Sequence, residues 1–221
     1  MVGPGGPPVS RRGDRLRWDG PVTDTRGTTG RPATFPSRTD LTDGVVLLRE
    51  PGAGPLDLDA IVHGATTPDV VEYTRVPVPY RREHADEFVA EAGRAWAASE
   101  SAVFAVCAAE APDALLGMIG LHDVDLTGDP GGVAEIGYWM SPEGRGRGLM
   151  TRAVRLLSAW GVDELGLTRI SWYAVVGNEP SRRVAEACGY QVEGLLRRGE
   201  QRRGERLDHW VGGLLAEEVP R

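Results

Sequence analysis

Apolar positions recur along the chain with two periods, and the switch between them lays out the elements. Over residues 81–99, Ala85, Phe88, Val89, Ala92 and Trp96 fall three and four apart, the stripe of an amphipathic helix. Leu149, Ala153, Leu156, Leu157 and Trp160 repeat that spacing and predict a second helix running to about Gly161. Shorter helices are expected over 56–65, with Leu58, Ile61 and Val62 apolar, over 68–73, and over 178–188, where Pro180 sits in the first turn and Gly189 stops the run. Runs at 45–49, 102–109, 115–124 and 133–140 read as strands. So does 168–175, where Ile170, Trp172 and Ala174 alternate with Arg169, Ser171 and Tyr173. Residues 190–201 and 206–215 make a closing hairpin. Val76-Pro77-Val78-Pro79-Tyr80 must be extended, because each proline disfavours helix in the residue before it. This order predicts a mixed α/β (α+β) domain with a largely antiparallel sheet and helices on both faces.

Residues 1–44 break the pattern. They hold eight glycines and six prolines with almost no apolar periodicity, so they are expected to be a disordered tail ahead of a folded domain spanning 45–218. The tail carries +2 and the remainder −9, for a net charge of −7, which argues against general nucleic-acid binding. No apolar run approaches the ~20 residues that span a bilayer, and the N-terminus has no apolar core of a secretory signal. A cytoplasmic protein is expected. Cys107 and Cys188 are too few for a disulfide framework or zinc site and read as buried packing. All 25 basic residues are arginine, which removes lysine Schiff-base chemistry.

The candidate chemistry gathers where the 133–140 strand hands over to the second long helix. Between them lies Ser141-Pro142-Glu143-Gly144-Arg145-Gly146-Arg147-Gly148-Leu149-Met150. A glycine-rich turn opening a helix offers unpaired backbone N–H groups, close approach and positive potential, which together seat phosphate. Arg145 and Arg147 add charge suited to phosphate oxygens. The glycines at 144, 146 and 148 do not match G-x-G-x-x-G, and a P-loop needs a lysine.

Arg145-Gly146-Arg147-Gly148-Leu149-Met150 resembles the R/Q-x-x-G-x-G/A loop of the GNAT acetyltransferase superfamily, with Met150 in place of the final Gly or Ala. Asn178-Glu179-Pro180-Ser181, continuing to Gly189-Tyr190, resembles that superfamily's second signature. With Glu193-Gly194-Leu195-Leu196-Arg197 the pattern is similar to the ribosomal-protein alanine and serine N-acetyltransferases (RimJ/RimL-like). The resemblance implies a sheet of six to seven strands whose central parallel pair splays apart, acetyl-CoA as co-substrate, and a primary amine as acceptor, either a protein N-terminus or a small molecule. It implies a donor held by Trp139, Met140, Arg145, Gly146, Arg147, Gly148, Leu149, Met150, Asn178 and Ser181, with the Met140 N–H facing the thioester oxygen. Two bases stay open, Glu135 on the splayed strand and Glu200, which matches a glutamate of the ribosomal-protein subgroup. The tyrosine that many relatives use to protonate the leaving thiolate is replaced here by Ala185, and Ser181 is the substitute the subgroup suggests; a first-turn cap is its alternative role. No histidine spacing fits a metal. A monomer or homodimer is compatible with all of this. A catalytically silent CoA-binding sensor on the same fold is the alternative function.

Overall fold

The computed structural model describes residues 34–128 and 131–220. Its sheet has eight strands, one or two more than expected, in the order β1-β2-β3-β4-β5-β6-β8-β7. They are β1 (Leu41–Thr42), β2 (Val46–Arg49), β3 (Ala102–Ala108), β4 (Gly117–Asp125), β5 (Gly132–Met140), β6 (Leu167–Val175), β7 (Gln191–Arg202) and β8 (Glu205–Leu215). Only β5 and β6 run parallel. Among the described residues, five α-helices cover the faces: α1 (Asp57–Ala65), α2 (Pro68–Tyr73), α3 (Arg82–Ala97), α4 (Leu149–Leu165) and α5 (Glu179–Ala187).

Strand β3 shows why the layers form. Every residue of Ala-Val-Phe-Ala-Val-Cys-Ala is buried, so both faces of the strand are covered. Ala102, Phe104 and Val106 pack with Leu149, Ala153, Val154 and Leu157 of α4. Val103 and Ala105 face the other way, onto Ile61 of α1 and Ala85 and Ala92 of α3. Alternation along β5 does the same: Ala134, Ile136 and Tyr138 join the α4 layer, and Trp139 joins the α1–α3 layer. Gly64 of α1 makes room for that indole, since a Cβ there would lie 2.2 Å from the ring.

Two expectations are corrected. Helix α4 continues past Gly161 to Leu165, and Gly166, at φ 67°, is its left-handed stop. Gly161 is there for close packing, because a Cβ would sit 2.9 Å from Leu121 and 3.0 Å from Leu167. The predicted tail of 1–44 lies largely outside the described residues, but its last part is built into the domain. Leu41 and Thr42 pair with Leu48 and Leu47 of β2, and Phe35 packs edge-on against Trp96 and Trp160. One aromatic and a two-residue pairing are too short to raise a periodic signal in a Gly/Pro-rich run.

Candidate active site

The parallel pair opens partway along. β5 and β6 are in register from Gly132–Leu167 to Ile136–Trp172 and no further. Past that point β5 stays paired with β4 as far as Met140, and β6 stays paired with β8 as far as Val175. Each strand therefore follows its outer neighbour, and a V-shaped gap opens between them. The Ser141 N–H donates to the Leu116 carbonyl at 2.8 Å, which fixes the sense of alternation along β5. Trp139 turns its carbonyl to β4, where a Cβ on Gly117 would meet it at 2.4 Å. Tyr138 and Met140 accordingly turn N–H and C=O toward the gap. Met140 thus turns its backbone N–H into the gap, whereas Trp139 faces β4 with its backbone and the α1–α3 layer with its ring.

At the mouth of the gap the chain makes a 3-10 turn, Pro142–Gly144, and then the glycine loop. Gly146 and Gly148 sit at φ 70° and 71°, and a Cβ on either would have no atom within 4 Å. Their left-handed backbone, not crowding, demands glycine there. Helix α4 begins at Leu149, so its first N–H groups lack intrahelical partners just beyond the glycines. Leu149 and Met150 are 2% and 7% exposed, and their side chains are committed to the core. They offer backbone only, which is why methionine is tolerated where the loop pattern has Gly or Ala. The cradle fits a diphosphate. Its arginines divide: Arg147 pairs with exposed Glu110 at 3.0 Å, whereas Arg145 donates through Nε and Nη2 to the Met140 carbonyl at 3.0 and 2.8 Å and pairs with Asp69 of α2 at 2.6 Å.

Across the gap, α5 starts just after β6. The Asn178 side chain caps it by accepting from the Ser181 N–H at 3.2 Å. The Ser181 Oγ accepts from the Trp172 indole N–H at 3.1 Å and donates to the Tyr138 hydroxyl at 3.2 Å, while that hydroxyl donates to the Ser181 carbonyl at 2.9 Å. Tyr138 therefore ties β5 to α5 across the gap, and burial raises its phenol far above the ordinary value. Ala185 is buried in the core, so no hydroxyl stands in its place.

The opposite end brings acids and arginines together, with Arg75 and Arg202 both acting on Glu200. Glu200 of β7 is 4% exposed and is held by Arg75 of the α2–α3 linker, whose Nε donates to Oε1 at 2.7 Å and whose Nη2 reaches Oε2 at 2.5 Å. The Arg75 hydrogen bonds lower the Glu200 carboxyl below its usual value, against the opposing effect of burial. Arg75 also feels the charges of Glu135 and Asp123, so one guanidinium links both base candidates. Glu135 stands opposite His122 in the β4–β5 ladder and shares its face. Desolvation lowers the pKa of His122 and of His209, the latter 3.7 Å from Glu200. Arg75 was not singled out from the sequence, and neither were Asp69 or Tyr138. A lone Arg or Asp in a linker or short helix carries no periodic or motif signal, although Tyr138 stood inside the strand already in view.

Burial raises both thiols, Cys107 and Cys188, to about 11, which rules out a ready thiolate at either. Among the described residues no cluster of His, Cys, Asp and Glu could hold a metal, and no helix is long and apolar enough to cross a membrane.

Comparison with known proteins agrees with this geometry. The family described as acetyltransferase (GNAT) domain matches residues 46–191. YdaF of Bacillus subtilis (strain 168), which carries the provisional name ribosomal N-acetyltransferase, is 37% identical over 131 residues, 59% of this chain and 61% of that protein. The chain thus spans less than two thirds of this relative's length. A solved structure named a probable acetyltransferase aligns with a TM-score of 0.69 at 27% identity, covering 81% of this chain and 98% of that one. Mycobacterium smegmatis RimJ in complex with CoA-disulfide shares the fold, with a TM-score of 0.70 at 22% identity over 83% of this chain and 88% of that chain.

Proposed function

The chain belongs to the GNAT acetyltransferase family, and on that premise we propose that it moves an acetyl group from acetyl-CoA to a primary amine by direct attack in a ternary complex. The observation that carries the reading is the V between β5 and β6 opening beside a glycine-started helix. A gap where β5 and β6 no longer pair with each other suits an extended amide-bearing arm, and the adjoining cradle suits its diphosphate.

Within that frame the residues take roles. The Met140 N–H points at the thioester oxygen and stabilises the oxyanion of the tetrahedral intermediate. Glu135 accepts the proton of the attacking ammonium, directly or through water. Glu200 has both its oxygens engaged by Arg75 and on this reading holds the linker in place. Ser181, placed by Trp172 and Tyr138, is the hydroxyl that serves the departing thiolate, its proton turning from Tyr138 to the sulfur as the thiolate forms. Asn178 shapes the start of α5 beside the arm. The acceptor is a cationic amine of the protein N-terminal kind, a reading supported by the acids Glu135 and Asp123 near Arg75 and by the name ribosomal N-acetyltransferase that YdaF carries.

The test is an acceptor screen that follows CoA thiol release with acetyl-CoA as donor, one arm holding peptides with free N-terminal Ser or Ala, the other small polyamines. We expect turnover in the peptide arm. Turnover confined to polyamines would replace the acceptor class. No turnover in either arm, with acetyl-CoA binding intact, would leave the silent-sensor alternative standing.

A further inference from the structure

The usual expectation for an arginine opening a phosphate loop is that it grips phosphate. Arg145 is placed for something else. Of its five N–H donors, the one on Nε and those on Nη2 are directed to the Met140 carbonyl and to Asp69, so these contacts leave only Nη1 unused. The carbonyl it covers is the one Met140 turns into the gap, one peptide away from the N–H that faces the thioester oxygen. Uncovered, its lone pairs would oppose that oxygen; covered, they are quenched and a positive charge stands beside the seat. Asp69 holds the guanidinium from the far side and places a carboxylate near the loop, which disfavours a diphosphate ligand. Arg147 contrasts with it, because its partner Glu110 has a side chain 79% exposed and such a surface pair is easily exchanged for phosphate.

We propose that Arg145, braced by Asp69, is a positioning residue for the thioester end of the donor, and that Arg147 is the arginine of this loop that serves the diphosphate. The proposal rests on acetyl-CoA lying between β5 and β6. It carries a consequence for α2: this short helix, through Asp69, takes part in seating the donor.

Two ligands separate the ends of the donor. Acetyl-CoA has both, whereas 3′-phosphoadenosine 5′-diphosphate carries the diphosphate without the pantetheine arm. Titration calorimetry on the full chain should show Arg145→Met weakening acetyl-CoA by about tenfold, the order expected for losing charged hydrogen bonds, with the nucleotide changed less than about twofold. Asp69→Asn, which lies outside the loop, should repeat that split in smaller measure. Arg147→Met should weaken both ligands alike. Equal loss of both ligands in Arg145→Met, or no loss of either, would overturn the proposal, as would an Asp69→Asn variant that binds acetyl-CoA like the wild type. A wild-type protein that binds the nucleotide but gains nothing from the acetylated arm would count against the gap as donor seat, and a wild type that binds neither would count against acetyl-CoA itself; either takes this proposal down with it.

Discussion

Glu200 shows how much one neighbour decides. A buried glutamate is costly unless paired, and here the pair is supplied from the α2–α3 linker, 125 residues away in sequence. Because its folded pKa lies below the ordinary 4.5, the pair contributes stability that is fully present above pH 4.5 and is lost as pH falls through the lower, folded value. Arg75→Ala should cost about 1–3 kcal/mol at pH 7 and flatten that acid limb, as read from urea melts across the acid range. Glu135→Gln should lower kcat by about 10²-fold or more with little change in acetyl-CoA affinity, whereas Glu200→Gln should act mainly through stability; the reverse pattern would exchange their roles. The acids were legible in the sequence as candidates. The engagement of Glu200 was not, because it depends on Arg75, whose position is set only once the linker folds back onto β7.

Elements were more legible than contacts. Each predicted helix and strand from residue 45 onward has a counterpart, since period and turn chemistry are local signals. The end of α4 was misplaced because a glycine can stop a helix or let one pack closely, and only the neighbours of Gly161 tell which. Gly161→Ala should therefore destabilise by about 1–3 kcal/mol through overpacking against Leu121 and Leu167, measured as a shift in the urea midpoint at unchanged slope. Gly146→Ala should behave differently. It meets no atom, so its cost of about 1–2 kcal/mol is conformational, and the loop that relaxes to escape it should bind acetyl-CoA more weakly. The gap between β5 and β6 came from the family resemblance and not from periodicity, because a strand's pattern records which face is buried and not where its neighbour departs.

At the scale of the molecule, ties between elements hold what the elements alone would leave loose. Arg49 and Asp57 form a bidentate pair with side chains 8% and 0% exposed, and the carboxylate also accepts from the N–H groups of Gly52 and Gly54. Phe35 joins a ring cluster with Trp96 and Trp160, and Arg38 stands 4.2 Å over the Trp96 ring. Phe35→Ala should cost about 2–3 kcal/mol and alter the tryptophan emission, a result that a dispensable tail would not give. The tip of the β7–β8 hairpin makes one more such tie. Arg203 donates to the carbonyls of Val71 and Val76, at 2.7 and 2.8 Å, and the Tyr73 hydroxyl reaches the Gly177 carbonyl at 3.3 Å. These bonds read main chain, which any residue provides. The frame can therefore stay fixed while its linker side chains drift, and on the proposed reading selection is free to retune the choice of amine without rebuilding the lintel.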